Sequence, residues 1–292
     1  MKDCNGANLS PGIRGWGQPT PFWGVNGHFP GYVPRKDFYL VSAASLWSRQ
    51  RGKFIKRSYP DARTRMFLDS GGFSFFSRQG DYPFSPSDYL RLVEHPYYGY
   101  QPLLWAGLDY PCEAGVERGN CLGLENNQER MEATLEHLEY LTRVHRWPGL
   151  VPVIQGYSIE ERLWCLEEMA LRGLGARLMA IGSLCCIKSE RLIDNIVTVL
   201  GLAAREMFHF PVLFHLFGVK LGYLSGHRQG LGFVFSFDTA AWELGQRGET
   251  RNAKGPGEEE RRFWRYRSLV STALARPRQL SLADLVDRGL AV

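Results

Sequence analysis

Short, almost uninterrupted apolar runs alternate with amphipathic segments along this 292-residue chain. Runs of this kind are typical of strands that are buried on both faces, as in parallel sheets. Strand–helix alternation over about seven or eight units favours an α/β fold of the (β/α)8 TIM-type barrel class over an open sheet. The predicted strands lie at residues 38–45, 65–72, 103–110, 150–156, 177–184, 211–219 and 232–240.

The segments between these runs carry apolar residues at helical spacing. One of them opens with a capping box, Ser158 followed by Glu161, and ends at Gly173. The predicted helices lie at residues 85–95, 126–146, 158–173 and 188–207. We expect one domain over residues 1–292. It would have an irregular, packed N-terminal segment, a barrel core at about 38–246 and a basic, helical C-terminal extension at 247–292.

The composition excludes several classes of function. Hydrophobic residues make up 44% of the chain, and no apolar run is long enough to cross a bilayer, so we expect no membrane contact. The N-terminal residues show no secretory signal, which makes the cytoplasm the expected location. No glycine-rich dinucleotide or phosphate motif follows a strand, and the six cysteines form no CxxC pair. We therefore expect neither a cofactor nor a metal.

The net charge of +5 is concentrated in two basic clusters. Interleaved aromatic residues in both clusters favour a polyanionic partner. The alternative is two solvated faces, with the second cluster paired to the nearby glutamates 258–260. The residues that we predict to contact nucleic acid are Arg49, Arg51 and Lys53 in the first cluster and Arg261, Arg262 and Arg265 in the second.

Polar residues stand where the predicted strands end. In a (β/α)8 barrel these ends share one mouth, where active sites are built. A turn or a helix cap explains any one such residue better than chemistry does, but coincidence is a poor explanation for the whole set. The residues at these ends are Asp69, Ser70, Asp109, Gln155, Gly182, Ser183, His215 and Asp238.

The motifs around these residues resemble, in order, those of the tRNA-guanine transglycosylase superfamily. They are "DSGGF" at Asp69, "LD" at Asp109, "VIQG" at Gln155, "AIGSL" at Gly182, "HLFGV" near Phe217 and "FDTAAW" at Asp238. Members of that superfamily exchange guanine in a nucleic acid for a 7-deazaguanine base without cleaving the backbone. The resemblance covers about residues 38–246.

The resemblance implies roles for individual residues. Asp238 resembles the nucleophile that attacks the sugar C1′, and Asp69 resembles the aspartate that moves protons on the two bases. A carboxylate such as Asp109 can accept from adjacent N–H and amino groups of guanine, while Gln155 can both donate and accept. The implied substrate-binding set is Ser70, Gly71, Asp109, Gln155, Gly182, Ser183 and Phe217.

The chain also departs from the tRNA enzymes, which carry a zinc site built from three cysteines and a histidine after the nucleophile strand. No cysteine follows Cys186 here. The chain is therefore most similar to the compact branch that places 7-deazaguanines in DNA. The partners implied are DNA, or alternatively tRNA, and a base such as 7-cyano-7-deazaguanine. Whether a helper ATPase or partner modification protein takes part is left open.

Three other functions remain open at this point. The chain could be a tRNA-guanine transglycosylase that lacks zinc. It could be an inactive barrel that only binds nucleic acid, although such a barrel has no need to keep several carboxylates at one mouth. It could also be an unrelated barrel hydrolase with a small substrate, which would show no salt-dependent DNA binding.

Overall fold

Within the described residues, the protein folds into a barrel of eight parallel strands, one of which is interrupted. The computed structural model describes residues 19–25, 29–95, 97–112, 126–226, 228–239 and 257–275. All neighbouring barrel strands pair in parallel. The strands are β1 (Thr20–Val25), β2 (Tyr39–Ser42), β3 (Met66–Asp69), β4 (Leu104–Ala106), β5 (Leu150–Val151 and Val153–Ile154), β6 (Leu178–Ile181), β7 (Leu213–Leu216) and β8 (Val234–Thr239).

Strand β5 closes the barrel. Its first half pairs with β4 and its second half pairs with β6, so the two ends of the sheet meet in one continuous run. Pro152 separates the halves because it has no N–H to donate to a neighbouring strand. Its carbonyl still accepts from the amide of Ala180 at 2.7 Å. The (β/α)8 class expected from the sequence is confirmed.

Helices surround the strands. The four helices predicted from the sequence are confirmed, and the capping box of Ser158 and Glu161 is present. Within the described ranges, no helix is both long and apolar enough to span a membrane. The helices are α1 (Ala62–Arg65), α2 (Gly72–Gln79), α3 (Pro86–Glu94), α4 (Asn127–Val144), α5 (Ile159–Leu171), α6 (Glu190–Met207), α7 (Leu221–Ser225) and α8 (Glu258–Ala275).

The barrel begins earlier than the motifs indicated. Residues 20–25, which we expected to be part of an irregular segment, form β1 and pair with both β2 and β8. The expectation was wrong for these residues because Pro21 and Gly24 interrupt the apolar pattern that marks the other strands. In the barrel, the neighbouring strands supply the pairing that local propensity does not.

Side chains that point alternately into and out of the barrel divide the core into two layers. Side chains inside the barrel form one buried cluster, which includes Phe22, Leu40 and Phe67. Their sequence neighbours, such as Trp23 and Leu68, point outwards and pack beneath the helices. Because successive side chains of a strand face opposite sides, inward positions that continue past the apolar layer reach the barrel mouth.

Helix α8 packs against the first strand. The ring of the fully buried Phe263 lies 5.4 Å from that of Trp23 and 5.6 Å from that of Tyr32. Arg267 adds an ion pair with Asp37 at 2.9 Å. The helical content expected of the C-terminal extension is confirmed for α8. Residues 240–256 and 276–292 lie outside the described residues.

This packing predicts that α8 is part of the barrel's cooperative unit. Phe263→Ala should lower the free energy of unfolding by about 3–5 kcal/mol, because it leaves a cavity between α8 and β1. Trp264→Ala is the matched control. Its ring is 42% exposed, so its removal should cost less than about 1 kcal/mol. Urea denaturation of both variants checks this, and equal costs would contradict it.

Candidate active site

Three polar residues and one glycine at the barrel mouth continue the inward-facing pattern of their strands. Asp69 ends β3 and follows the inward Phe67 by two residues. Gln155 and Gly182 stand in the same relation to Val153 and Ala180. Asp238 lies in β8 opposite the inward Phe22. The strand-end pattern of the sequence therefore places these groups around one opening.

Asp109 is held by three side chains in a buried network. The hydroxyl of Ser70 donates to its Oδ1 at 2.5 Å, and the amide of Gln155 donates to its Oδ2 at 2.5 Å. The hydroxyl of Tyr82 lies 2.8 Å from the Asp109 carbonyl and 3.1 Å from the Ser70 hydroxyl. The carboxylate is therefore held in one orientation with two hydrogen bonds satisfied.

Gln155 is oriented from its other side as well. Its Oε1 accepts from the hydroxyl of Ser183 at 2.8 Å, and that hydroxyl accepts from the amide of Cys112 at 3.2 Å. Ser183 has a φ of 54°, a left-handed conformation that favours glycine. Its hydroxyl fixes the amide orientation of Gln155.

Two glycines let the chain pass close to these groups. A Cβ on Gly182 would lie 2.3 Å from Nε2 of Gln155, so only glycine leaves that side chain in place. Gly71 has a φ of 80°, and a Cβ there would lie 2.8 Å from the amide nitrogen of Ala44. The amide of Gly71 donates to Oδ2 of Asp69 at 3.2 Å.

Among the carboxyl groups of the mouth, Asp69 has a strongly shifted pKa. Burial raises its pKa from 3.8 to about 7, and the neighbouring carboxylates of Asp109 and Asp238 add to the rise. Hydrogen bonds from the side chain of Ser42 and the amide of Gly71 oppose it. A carboxyl group with a pKa near 7 can both release and accept a proton at neutral pH.

Asp238 is oriented through one of its two oxygens. The amide of Gly218 donates to its Oδ1 at 2.7 Å, and Nε2 of His215 lies 3.6 Å from the same atom. The half-buried ring of Phe217 borders this region, 4.7 Å from the His215 ring and 5.7 Å from that of Phe67. The structure thus brings the motif residues of six strands to one mouth.

Sequence reasoning missed part of this site. Tyr82 lies between elements and carries no strand-end signal, although it contacts Ser70 and Asp109. Arg162 is fully buried and donates to the carbonyl of Gly182 at 2.8 Å. An arginine on an amphipathic helix is typically a solvated residue, and only its position beneath the Gly182 turn reveals the contact. His215 was found at a strand end, but with no role.

The two predicted basic clusters differ in their surroundings. Arg49, Arg51 and Lys53 are exposed on a short antiparallel hairpin, Trp47–Ser48 with Lys53–Phe54, which follows β2. We call this segment the basic hairpin. In the first turns of α8, Arg261, Arg262 and Arg265 form what we call the helix cluster.

Within the helix cluster, Glu258 pairs with Arg261 at 2.9 Å and with Arg262 at 3.1 Å, while Arg265 is exposed. Both clusters follow the carboxyl end of a barrel strand, β2 in one case and β8 in the other. The basic hairpin therefore lies on a loop of the mouth face, beside β1, while the helix cluster lies on the helix that packs against β1. Their contact with nucleic acid stays a prediction.

The cysteines do not converge in the described part of the chain. Cys112 and Cys165 are buried, whereas Cys185 and Cys186 are exposed. No group of three or more His, Cys, Asp or Glu side chains is arranged to hold a metal among the described residues. The absence of zinc stays a prediction, because Cys4 and Cys121 lie outside those residues.

Comparison with known proteins places this chain in a family. The family described as DpdA, DeoxyPurine in DNA protein A, matches residues 36–267. The chain belongs to this family. A search of curated proteins found no match. The DpdA match runs from β2 to β8 and into the first half of α8, and it confirms the resemblance to the DNA branch of the transglycosylase superfamily.

The raised pKa of Asp69 predicts how stability depends on pH. A carboxyl group whose pKa rises on folding stabilises the fold below its ordinary pKa, and this contribution is lost as the pH rises through 7. Asp69→Asn should therefore raise the free energy of unfolding by about 2–4 kcal/mol at pH 8. The gain should disappear near pH 4. Denaturant titrations between pH 4 and 8 measure it.

Asp88 supplies a control, because folding shifts its pKa in the opposite direction to that of Asp69. Hydrogen bonds from Ser85 and Arg91 lower its pKa, so the charged form is the one that stabilises the fold. Asp88→Asn should lower stability at pH 8, and the difference should shrink as the pH falls. An Asp69→Asn protein no more stable than the parent at pH 8 would contradict the electrostatic description of the mouth.

Proposed function

We propose that this protein exchanges guanine in DNA for a 7-deazaguanine base through a covalent aspartyl-glycosyl intermediate. The observation that carries the proposal is the convergence of Asp69, Asp109 and Asp238 at one barrel mouth. There the pKa of Asp69 is raised to about 7. Membership in a family described by deoxypurine in DNA supports DNA as the substrate. Transfer without backbone cleavage needs two carboxyl groups with different tasks.

The chemistry divides between Asp238 and Asp69. A carboxylate oxygen of Asp238 forms a bond to C1′ while the bond between C1′ and the guanine nitrogen breaks. The electron pair leaves with guanine, which takes a proton from Asp69. In the second half, Asp69 takes a proton from the incoming base. The nitrogen of that base then attacks C1′, and the bond to Asp238 breaks.

The Asp109 network suits recognition of a flat purine edge. A carboxylate accepts side-by-side N–H and amino groups, and the amide of Gln155 offers both a donor and an acceptor. In the free protein these groups satisfy each other at 2.5 Å, which keeps them in place before the base arrives. Phe217, half-buried at the same opening, supplies an apolar face against the ring.

A duplex substrate adds a cost, because the target nucleotide must leave the stack before C1′ can reach Asp238. Base flipping costs a few kcal/mol. Phosphate contacts with basic residues on the mouth face offset it and set the register. The basic hairpin contributes more than the helix cluster in this proposal, since two arginines of the helix cluster already pair with Glu258.

The nucleophile assignment is tested by Asp238→Ala. Base exchange should fall by at least about 1000-fold while the unfolding midpoint stays close to that of the parent. The readout is nucleoside mass spectrometry of DNA and tRNA incubated with the enzyme and a 7-deazaguanine base. Exchange at the parent rate would remove Asp238 from this role. Exchange by the parent in tRNA alone would favour the zinc-less tRNA enzyme instead.

The assignment of DNA binding to the basic clusters is tested by the salt dependence of the affinity. The logarithm of the affinity should fall with the logarithm of the salt concentration, with a slope of about −0.9 for each phosphate that the protein neutralises. Replacing Arg49, Arg51 and Lys53 with glutamine should make the slope shallower by about 0.9 for each phosphate that is no longer neutralised. Choice of the target base should not change, because the pocket sets it.

The matched variant replaces Arg261, Arg262 and Arg265 with glutamine. It should change the slope less than the hairpin variant does, because Glu258 already neutralises part of the helix cluster. Fluorescence titrations over a range of salt compare the two variants with the parent. If the hairpin variant kept the parent slope and the helix variant had a shallower one, the phosphate contacts would lie on α8 instead.

A further inference from the structure

A fully buried histidine lies among the aromatic residues inside the barrel. The ring of His215 is 4.6 Å from that of Phe67, 4.7 Å from that of Phe217 and 5.8 Å from that of Phe22. Burial lowers the pKa of this imidazole, while the carboxylate of Asp238 opposes the shift. The ring is therefore neutral at neutral pH and carries one N–H.

The two ring nitrogens face different partners. Nδ1 lies 2.8 Å from the hydroxyl of Ser236, which is itself fully buried. Nε2 lies 3.6 Å from Oδ1 of Asp238. A proton on Nδ1 would leave the lone pair of Nε2 aimed at a carboxylate oxygen, which is repulsive. A proton on Nε2 instead lets Ser236 donate to Nδ1 and points an N–H at Asp238.

We propose that His215 is a positioning residue for Asp238, held by Ser236 in the tautomer that carries its proton on Nε2. This inference rests on the proposed function, because it takes Asp238 as the nucleophile. The imidazole N–H and the Gly218 amide both face Oδ1, which leaves Oδ2 as the oxygen that attacks C1′. Both oxygens belong to one rigid group, so a restraint on Oδ1 also aims Oδ2.

The neutrality of the ring matters for this role. An imidazolium beside Asp238 would form an ion pair and withdraw charge from the attacking carboxylate. A neutral imidazole restrains the carboxylate by its N–H dipole and leaves the negative charge available. The 3.6 Å distance between Nε2 of His215 and Oδ1 of Asp238 is longer than a direct hydrogen bond. The imidazole therefore orients the carboxylate but does not bind it as a strong hydrogen-bond donor would.

Two substitutions separate orientation from packing. His215→Leu removes both nitrogens at similar volume, whereas His215→Gln keeps an amide donor near the position of Nε2. His137→Leu is a matched control, because it removes a partly buried histidine on α4 that does not contact Asp238. Unfolding midpoints of all three variants report their packing.

The rate measured is single-turnover formation of an SDS-stable enzyme–DNA adduct without incoming base. We expect His215→Leu to slow it by about 100-fold, as a misaligned reacting group does, with DNA affinity unchanged. His215→Gln should slow it by less than about 10-fold, and His137→Leu should match the parent. Equal rates for His215→Leu and the parent, or equal rates for the leucine and glutamine variants, would overturn the inference.

A second measurement needs no activity. Nitrogen-15 spectra of histidine-labelled protein show which ring nitrogen carries the proton, and the signal that disappears in His215→Leu identifies the ring. The proton is expected on Nε2, and a proton on Nδ1 would overturn the inference directly. A parent enzyme that forms no adduct and exchanges no base would instead overturn the proposed function, and the role of His215 with it.

Discussion

Burial of closely spaced carboxyl groups at the barrel mouth is the constraint on which this site depends. Asp69, Asp109 and Asp238 lie close enough for the charges of Asp109 and Asp238 to add to the effect of burial, which together raise the pKa of Asp69 to about 7. Like charges in a low-dielectric opening cannot all ionise without cost, so one of them keeps its proton. In the proposed function this cost is useful, because a group that keeps its proton is suited to protonate a leaving base.

The three carboxyl groups also differ in their hydrogen-bond partners. Asp109 accepts hydrogen bonds from Ser70 and Gln155. Asp238 accepts from the Gly218 amide and faces the neutral ring of His215. Asp69 receives weaker help from Ser42 and Gly71, which does not offset its burial. In the proposed function, these different environments suit the three carboxyl groups to distinct roles.

Barrel closure brings these groups together. Asp69 and Asp238 lie on strands β3 and β8, which are far apart in the chain but separated in the sheet only by β1 and β2. Strand β1 is therefore as important to the site as the motif strands, although it carries no motif residue. Helix α8 packs on β1 through Phe263 and so supports the same region.

Much of this could be predicted from the sequence, because apolar runs, helix caps and strand-end polar residues are local signals. Seven of the barrel strands, the (β/α)8 class, four helices and the position of Asp69 to Asp238 at strand ends follow from residue types and spacing alone. The motif order also indicated the family that the comparison confirms. The structure does not test the roles assigned to individual site residues, which stay proposals.

Only the tertiary structure decided the rest, because those features depend on contacts between residues distant in the chain. Strand β1 has a weak local pattern and exists because β2 and β8 pair with it. The pKa of Asp69 depends on its burial and on the closeness of Asp109 and Asp238. The tautomer inferred for His215 depends on Ser236, 21 positions further along the chain. Burial and neighbouring charge are properties of the fold, and no local pattern encodes them.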